Sequence, residues 1–241
     1  MKLHRFIINA SLSGSLRIRD AELINQLRSV LRLKTGDTII VCDGSMYEAH
    51  ATITDIEKEF VELSLGEIRK NMAEPARKVI LYLALLKNDH FELALQKATE
   101  CGVAEIVPIM TDRVVKKGGK EDRWGKVLKE AAEQSGRGKV PLLHETKDFK
   151  EAVTHATLAC SKTLFLDVEG APLSAVSSGI LQTDSIGLFV GPEGGWNGPE
   201  LLYIDRTASE GKPLFRVNIG PTTLRAETAA IVGTYIAANQ L

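Results

Sequence analysis

The sequence predicts a two-part α/β chain, and three observations predict it. Beyond residue 77, apolar runs of strand length alternate with helical segments. Before residue 70, several short strands follow a single helix. Between them lies a polar stretch that contains Pro75. The expected domains are 1–70 and 78–241, joined by a linker over 71–77.

In the first part, Arg5–Ile8 reads as a strand. Asp20–Leu33 reads as a helix with Leu23, Leu27, Val30 and Leu31 on one face. Strands follow at Thr38–Cys42, Tyr47–Ile56 and Phe60–Leu65, and Asp43-Gly44 is a hairpin signal between the first two. Short antiparallel strands of this kind close most simply as a small β-barrel. Gly66 to Arg77 is polar and reads as a connection.

In the second part, Val79–Leu86 is a buried strand by its apolar content. Asp89 to Glu92 has capping-box spacing and opens a helix that runs to Cys101, where Gly102 ends it. Ile106–Ile109 is a strand, and Arg123–Gln134 and Phe149–Ala159 are helices. Thr163–Val168 and Ile186–Val190 are strands. A helix over Pro199–Ser209, a strand over Leu214–Val217 and a C-terminal helix complete the run. That last helix carries Leu224, Thr228, Ile231, Val232 and Tyr235 at helical spacing, which predicts its buried face. Strand–helix alternation with nearly continuous apolar strands predicts a parallel sheet. Ligands of such sheets bind beyond the carboxyl ends of strands, here near Leu166, Val190 and Val217.

Composition narrows the function. The chain has 241 residues, is 44% hydrophobic and 25% charged, and carries a formal net charge of -1. It does not coat nucleic acid by bulk charge. Local basic patches remain: seven basic residues against two acidic ones over Met1–Gly36, and nine against five over Asp112–Val140. Few aromatics interleave with them, so phosphate contacts are expected rather than base stacking. Trp124 and Trp196 read first as core or interface residues. Three scattered cysteines and five histidines show no metal-ligand spacing, so no metal is expected. The opening Met-Lys-Leu-His-Arg-Phe holds no apolar signal core, and the longest apolar run is too short to cross a membrane. A cytoplasmic protein is expected.

Two loops carry the chemistry. The strand ending at Val190 runs into Gly191-Pro192-Glu193-Gly194-Gly195-Trp196, and Asn197 with Glu200 then caps a helix. Three glycines and a proline leave the backbone bare for close contact with a ligand. The pattern is neither a Walker loop nor a Rossmann fingerprint, and no lysine follows it as a phosphate loop requires. The second loop, Asn218-Ile219-Gly220-Pro221, leads into Thr222-Thr223-Leu224-Arg225-Ala226-Glu227-Thr228-Ala229. Arg225 and Glu227 sit in the first turns of the last helix. Exposed charge is the ordinary reading of such a pair, but its place after a glycine–proline turn favours a functional one.

These two loops and their spacing resemble the SPOUT RNA methyltransferases, and most closely the bacterial enzymes that methylate N3 of a uridine in small-subunit ribosomal RNA. The resemblance extends over Lys97–Val103, over Glu133-Gln134-Ser135-Gly136-Arg137 with Val140-Pro141, and over Val30–Lys34 with Gly36-Asp37 and Asp43-Gly44. It departs from the family at Thr222, where a basic residue is common, at Cys101, where leucine is, and at His90, where Lys or Arg is more usual.

The resemblance implies a C-terminal trefoil knot, a PUA-like N-terminal barrel, a homodimer, and S-adenosylmethionine as cofactor. By the same resemblance, three segments hold that cofactor. They are the strand end at Leu166, the stretch Val190, Gly191, Pro192, Glu193, Gly194 and Gly195, and the stretch Ile219, Gly220, Thr223, Leu224 and Thr228. The N3 proton must leave before or during attack, which calls for a base or for a cation that stabilises the ring oxygens. Arg225 is the first candidate cation and Arg137 the second. Glu193 or Glu227 accepts a proton or orients an arginine. Arg5, Arg28, Arg32, Lys34, Lys87, Arg113 and Lys116 are the expected RNA contacts, small-subunit ribosomal RNA being the partner. A ribose 2′-O methyltransferase and a non-catalytic RNA-binding or ribosome-assembly factor remain the alternatives.

Overall fold

Apolar strands that stay buried on both faces set the architecture of the larger body. The computed structural model describes residues 3–87, 89–113, 121–176 and 183–241. Two units are distinguished: 1–74 with 132–140, and 75–131 with 141–241.

The first unit holds five strands, β1 (Arg5–Ile7), β2 (Ser15–Ile18), β3 (Thr38–Cys42), β4 (Tyr47–Ile56) and β5 (Val61–Lys70). Their order is β1-β3-β4-β5-β2, antiparallel except for the β1–β3 pair. Strand β2 carried too weak an alternation to be expected. Strand β5 runs five residues past its expected end, so Gly66–Lys70 is sheet rather than connection. The helix expected over Asp20–Leu33 is α1 (Ala21–Asn25), capped by Asp20, followed by a wider π turn over Gln26–Val30. Arg32 ends it at φ +55, a left-handed conformation rare outside glycine. Leu23, Leu27, Ile39, Val41, Ile53 and Leu63 form the core.

Residues 132–140 return to this unit. Glu133 accepts a hydrogen bond from the Ile7 N–H at 2.9 Å, and Asn71 donates to the Gly136 carbonyl at 3.0 Å. Glu48, 4% exposed, accepts from Arg5, from Arg69 and from Asn71. Burial would raise its carboxyl pKa, but these donors hold it below the usual carboxylate value.

The second unit is a parallel sheet of β6 (Lys78–Ala84), β7 (Glu105–Met110), β8 (Leu142–Leu143), β9 (Lys147–Asp148), β10 (Lys162–Pro172), β11 (Ser185–Val190) and β12 (Leu214–Asn218). The main path is β12-β10-β11-β6-β7-β8, with β9 also on β7. Its helices are α2 (His90–Glu100), α4 (Phe149–Ala159), α5 (Gly198–Ser209) and α6 (Ala226–Asn239), together with α3 (Glu121–Ser135) up to residue 131, its last turn belonging to the first unit. Tyr82, Phe165, Phe189, Phe149, Trp196 and Ile204 fill one side of the sheet. On the other, α6 lies close to β6 and β11. Gly233 permits this, because a Cβ there would stand 3.1 Å from the methyl groups of Leu166 and Leu188.

Two helix expectations are corrected. Asp89 precedes α2, but its side chain makes no capping hydrogen bond. Glu92 turns instead to Arg123 at 2.7 Å. The buried face of α6 is the one made of Ala226, Glu227, Ala230, Gly233, Thr234, Ala237 and Ala238. Val232 and Tyr235, expected inside, are 36% and 49% exposed. Close approach to the sheet selects small residues, and the bulky ones face out.

Candidate active site

Strands β12, β10 and β11 are neighbours, and Leu166 pairs with Val217 while Phe165 pairs with Phe189. Their carboxyl ends therefore lie side by side, and the two glycine–proline loops leave from the tips of β11 and β12, on either side of the β10 tip. Between them is a cavity of about 740 Å³. Leu166, Val190, Val217, Ile219 and Leu224 give it apolar walls, and Gly191–Gly195 forms one side.

The first loop is fixed by local bonds. Gly195, at φ +67, donates its N–H to the Pro192 carbonyl at 2.9 Å. Trp196 is buried and donates from its indole to the Leu166 carbonyl at 3.0 Å. Its ring lies 4.2 Å from that of Phe165, so it is a core residue. Arg113 donates to the Gly194 carbonyl. Asn197 and Glu200 complete the expected capping box at the start of α5. In the second loop, Asn218 donates its side-chain amide to the Gly170 carbonyl at 2.7 Å.

Charge surrounds the cavity. Asp167 pairs with Arg216 at 2.6 Å, and Arg216 also meets Asp205 at 2.8 Å. Glu193 accepts the Lys87 N–H at 2.9 Å. Arg225 is the exposed N-cap residue of α6, and its side chain does not serve the helix. Glu227 is buried beside it.

A family profile described as an RNA methyltransferase domain matches residues 73–238. The chain belongs to the RNA methyltransferase family. A second profile, an RNA methyltransferase PUA domain, matches residues 20–66. Ribosomal RNA small subunit methyltransferase E of Bacillus subtilis is 31% identical, over 87% of this chain and 84% of its own length. The protein of that name from Rickettsia conorii is 30% identical, over 96% and 93%. The crystal structure of ribosomal RNA small subunit methyltransferase E from Neisseria gonorrhoeae bound to S-adenosyl methionine matches with a TM-score of 0.85 at 26% identity, covering 97% of this chain and 95% of that one.

In this RNA methyltransferase, the cavity gathers most of the residues singled out from the sequence. Leu166, Val190, Gly191–Gly195, Ile219, Gly220, Thr223, Leu224, Arg225 and Glu227 all line it, as do Asp167 and Trp196. Thr228 does not, although its neighbours Glu227 and Ala229 do. Arg137 belongs to the first unit, where it is 3% exposed and paired with Glu74 at 2.7 Å. A guanidinium so enclosed is built into that unit and does not line the cavity. Among the expected RNA contacts, Arg32, Lys34, Lys87 and Arg113 are exposed and Arg28 is half-buried. Arg5 is turned inward onto Glu48 and the Cys42 thiol, which leaves it little surface for a phosphate. Lys116 lies outside the described residues.

The sequence marked His90 only as a departure at a usually basic position of the family, and not as a member of the cavity, where it lies. It opens α2, far along the chain from either loop, and only the packing of α2 on α6 brings it there. Asp167 was within reach, since it follows Leu166 at the same strand tip.

Proposed function

We propose that this protein transfers a methyl group from S-adenosylmethionine to N3 of a uridine in small-subunit ribosomal RNA. The observation that carries the reading is the cavity at three adjacent strand tips, in a chain related to the rRNA enzymes named above. The cavity suits the cofactor. Its volume is that of a small-molecule site. Leu166, Ile219 and Leu224 would pack against its adenine, and the bare backbone of Gly191–Gly195 would supply hydrogen-bond groups. At Gly191 the space is defined to within an atom, since a Cβ would lie 2.9 Å from the Trp196 ring. Carboxylates at Asp167, Glu193 and Glu227 suit a cationic ligand.

When bound, the cofactor supplies an activated methyl group with a neutral thioether as leaving group. The protein's part is positioning and electrostatics. Arg225 stands at the mouth of the cavity, where a guanidinium stabilises the charge that builds on the uracil oxygens as N3 loses its proton. Exposed Arg32 and Lys34 on the first unit give phosphate contacts. The protein acts as a homodimer in the cytoplasm, and the exposed Leu93, Val232 and Tyr235 of α2 and α6 supply the apolar patch.

Two measurements test this. Titration calorimetry with S-adenosylmethionine gives saturable heat. Mass spectrometry of treated small-subunit ribosomal RNA finds N3-methyluridine, and a 2′-O-methylated nucleoside instead would reject the base as target. Arg225→Ala lowers turnover about 100-fold or more with an unchanged melting curve, and near-normal turnover would remove Arg225 from the mechanism.

A further inference from the structure

Two atoms in the wall of the cavity lack a hydrogen-bond partner among the described residues: His90 Nδ1 and Glu227 Oε2. They stand 3.9 Å apart. Glu193 Oε1 lies 4.0 Å from the same ring nitrogen. Three separate elements bring these groups together: the first turn of α2, the loop after β11 and the first turn of α6. The Glu193 carboxylate is held in place by the Lys87 N–H. Glu227 is only 7% exposed. A carboxylate so buried, with an oxygen that no donor meets, is costly unless a cation forms beside it.

An imidazole whose one nitrogen faces two carboxylates has its other nitrogen left for a substrate. This is the arrangement that orients a general base and stabilises its charged form. We propose that His90 accepts the uracil N3 proton, with Glu227 and Glu193 as its positioning residues. The inference rests on the methyl-transfer reading above. In the step, the N3–H bond breaks and its proton goes to the imidazole, the N3 electron pair forms the bond to the methyl carbon, and the carbon–sulfur pair stays on sulfur. The His90 side chain is 42% exposed, which gives the proton a way out to water. The other charged groups near the ring are Arg225 in the cavity lining, Lys87 and Asp89 before α2, and Glu92 on its own helix, paired with Arg123.

The test compares wild type, His90→Ala, His90→Gln and Glu227→Gln on small-subunit ribosomal RNA, with melting curves and S-adenosylmethionine affinities alongside. Both His90 variants lose kcat by about 100-fold or more, in the range for a general base. Their cofactor affinity and KM for RNA stay close to wild type. The acid limb of the wild-type kcat–pH profile gives way to a steady rise with pH, as hydroxide takes over. Glu227→Gln lowers kcat while KM for RNA stays close to wild type, as loss of a positioning residue does. A His90→Ala protein with wild-type kcat and pH profile overturns the inference, and so does one with only a raised KM for RNA, which marks a phosphate contact. In both cases an active wild type leaves the methyl-transfer reading standing. A wild type that transfers no methyl group to RNA ends both.

Discussion

At Gly191 the site depends on an absent side chain. Trp196 is anchored from both directions, by its bond to the Leu166 carbonyl and by Phe165 beneath it. It cannot retreat from a methyl group placed 2.9 Å away. Gly191→Ala therefore displaces the loop rather than the tryptophan. Overpacking of this kind costs about 1–3 kcal/mol, so melting falls by roughly 2–10 °C. Cofactor affinity measured by calorimetry weakens more than that change in stability alone implies, because the loop is the binding surface. Unchanged affinity would show that the loop backbone is not the grip. The glycine motif was readable in the sequence because unusual composition at a strand end is a local signal. His90 was not, since a lone histidine in a helix's first turn has no local signature and gains meaning only from what α6 places against it.

Among the elements, α6 shows where periodicity misleads. Nine of its fourteen residues are Ala, Ile, Val or Tyr and they fall on every side of the helix, so spacing alone could not choose the buried face. The sheet chose the small residues, and Val232 and Tyr235 were left outside. With Leu93 on α2 they are the exposed apolar residues proposed above for self-association. On that proposal the wild type sediments as a dimer in analytical ultracentrifugation, and Val232→Asp combined with Tyr235→Asp sediments as a monomer with methyl transfer lost. A wild-type protein that sediments as a monomer at working concentration would reject the assignment. The caps divide in the same instructive way. Asp148 with Glu151, and Asn197 with Glu200, close their boxes. Asp89 and Glu92 have that spacing as well, but Arg123 draws the Glu92 carboxylate away. A charged partner outcompetes a backbone N–H, and it comes from another helix, beyond any local pattern.

For the molecule as a whole, charged groups near the starts of β6 and β7 set the response to acid. Lys78 pairs with Glu105, His144 meets Glu105 at 2.8 Å, and the Tyr82 hydroxyl lies 2.7 Å from His155 Nδ1. Burial works to raise the Glu105 pKa, but Lys78 and His144 hold it below its ordinary value. Burial, with His144 adding to it, lowers that of His155. Both groups bind protons more readily in the unfolded chain. The stability they add is complete above their unfolded values, about 4.3 and 6.5, and is lost as pH falls through the lower folded ones. Glu48 acts in the same sense. The melting temperature therefore declines from pH 7 to pH 4, and His155→Gln flattens the upper part of that decline. A melting temperature that rises on acidification would contradict the scheme. The parallel sheet and its alternating helices were visible from apolar run lengths. The expected trefoil crossing belongs to the path as a whole, and no local spacing signals it.

Residues 132–140 complete the first unit although they arrive long after its last strand. Glu133, Gly136 and Arg137 close bonds that begin at Ile7, Asn71 and Glu74. A fragment cut after residue 74 would leave Glu74 without its arginine and the Ile7 N–H without an acceptor. What looks like a detachable N-terminal module is thus borrowed in part from the catalytic half. Exchange of such modules between related enzymes would have to carry two stretches of chain at once.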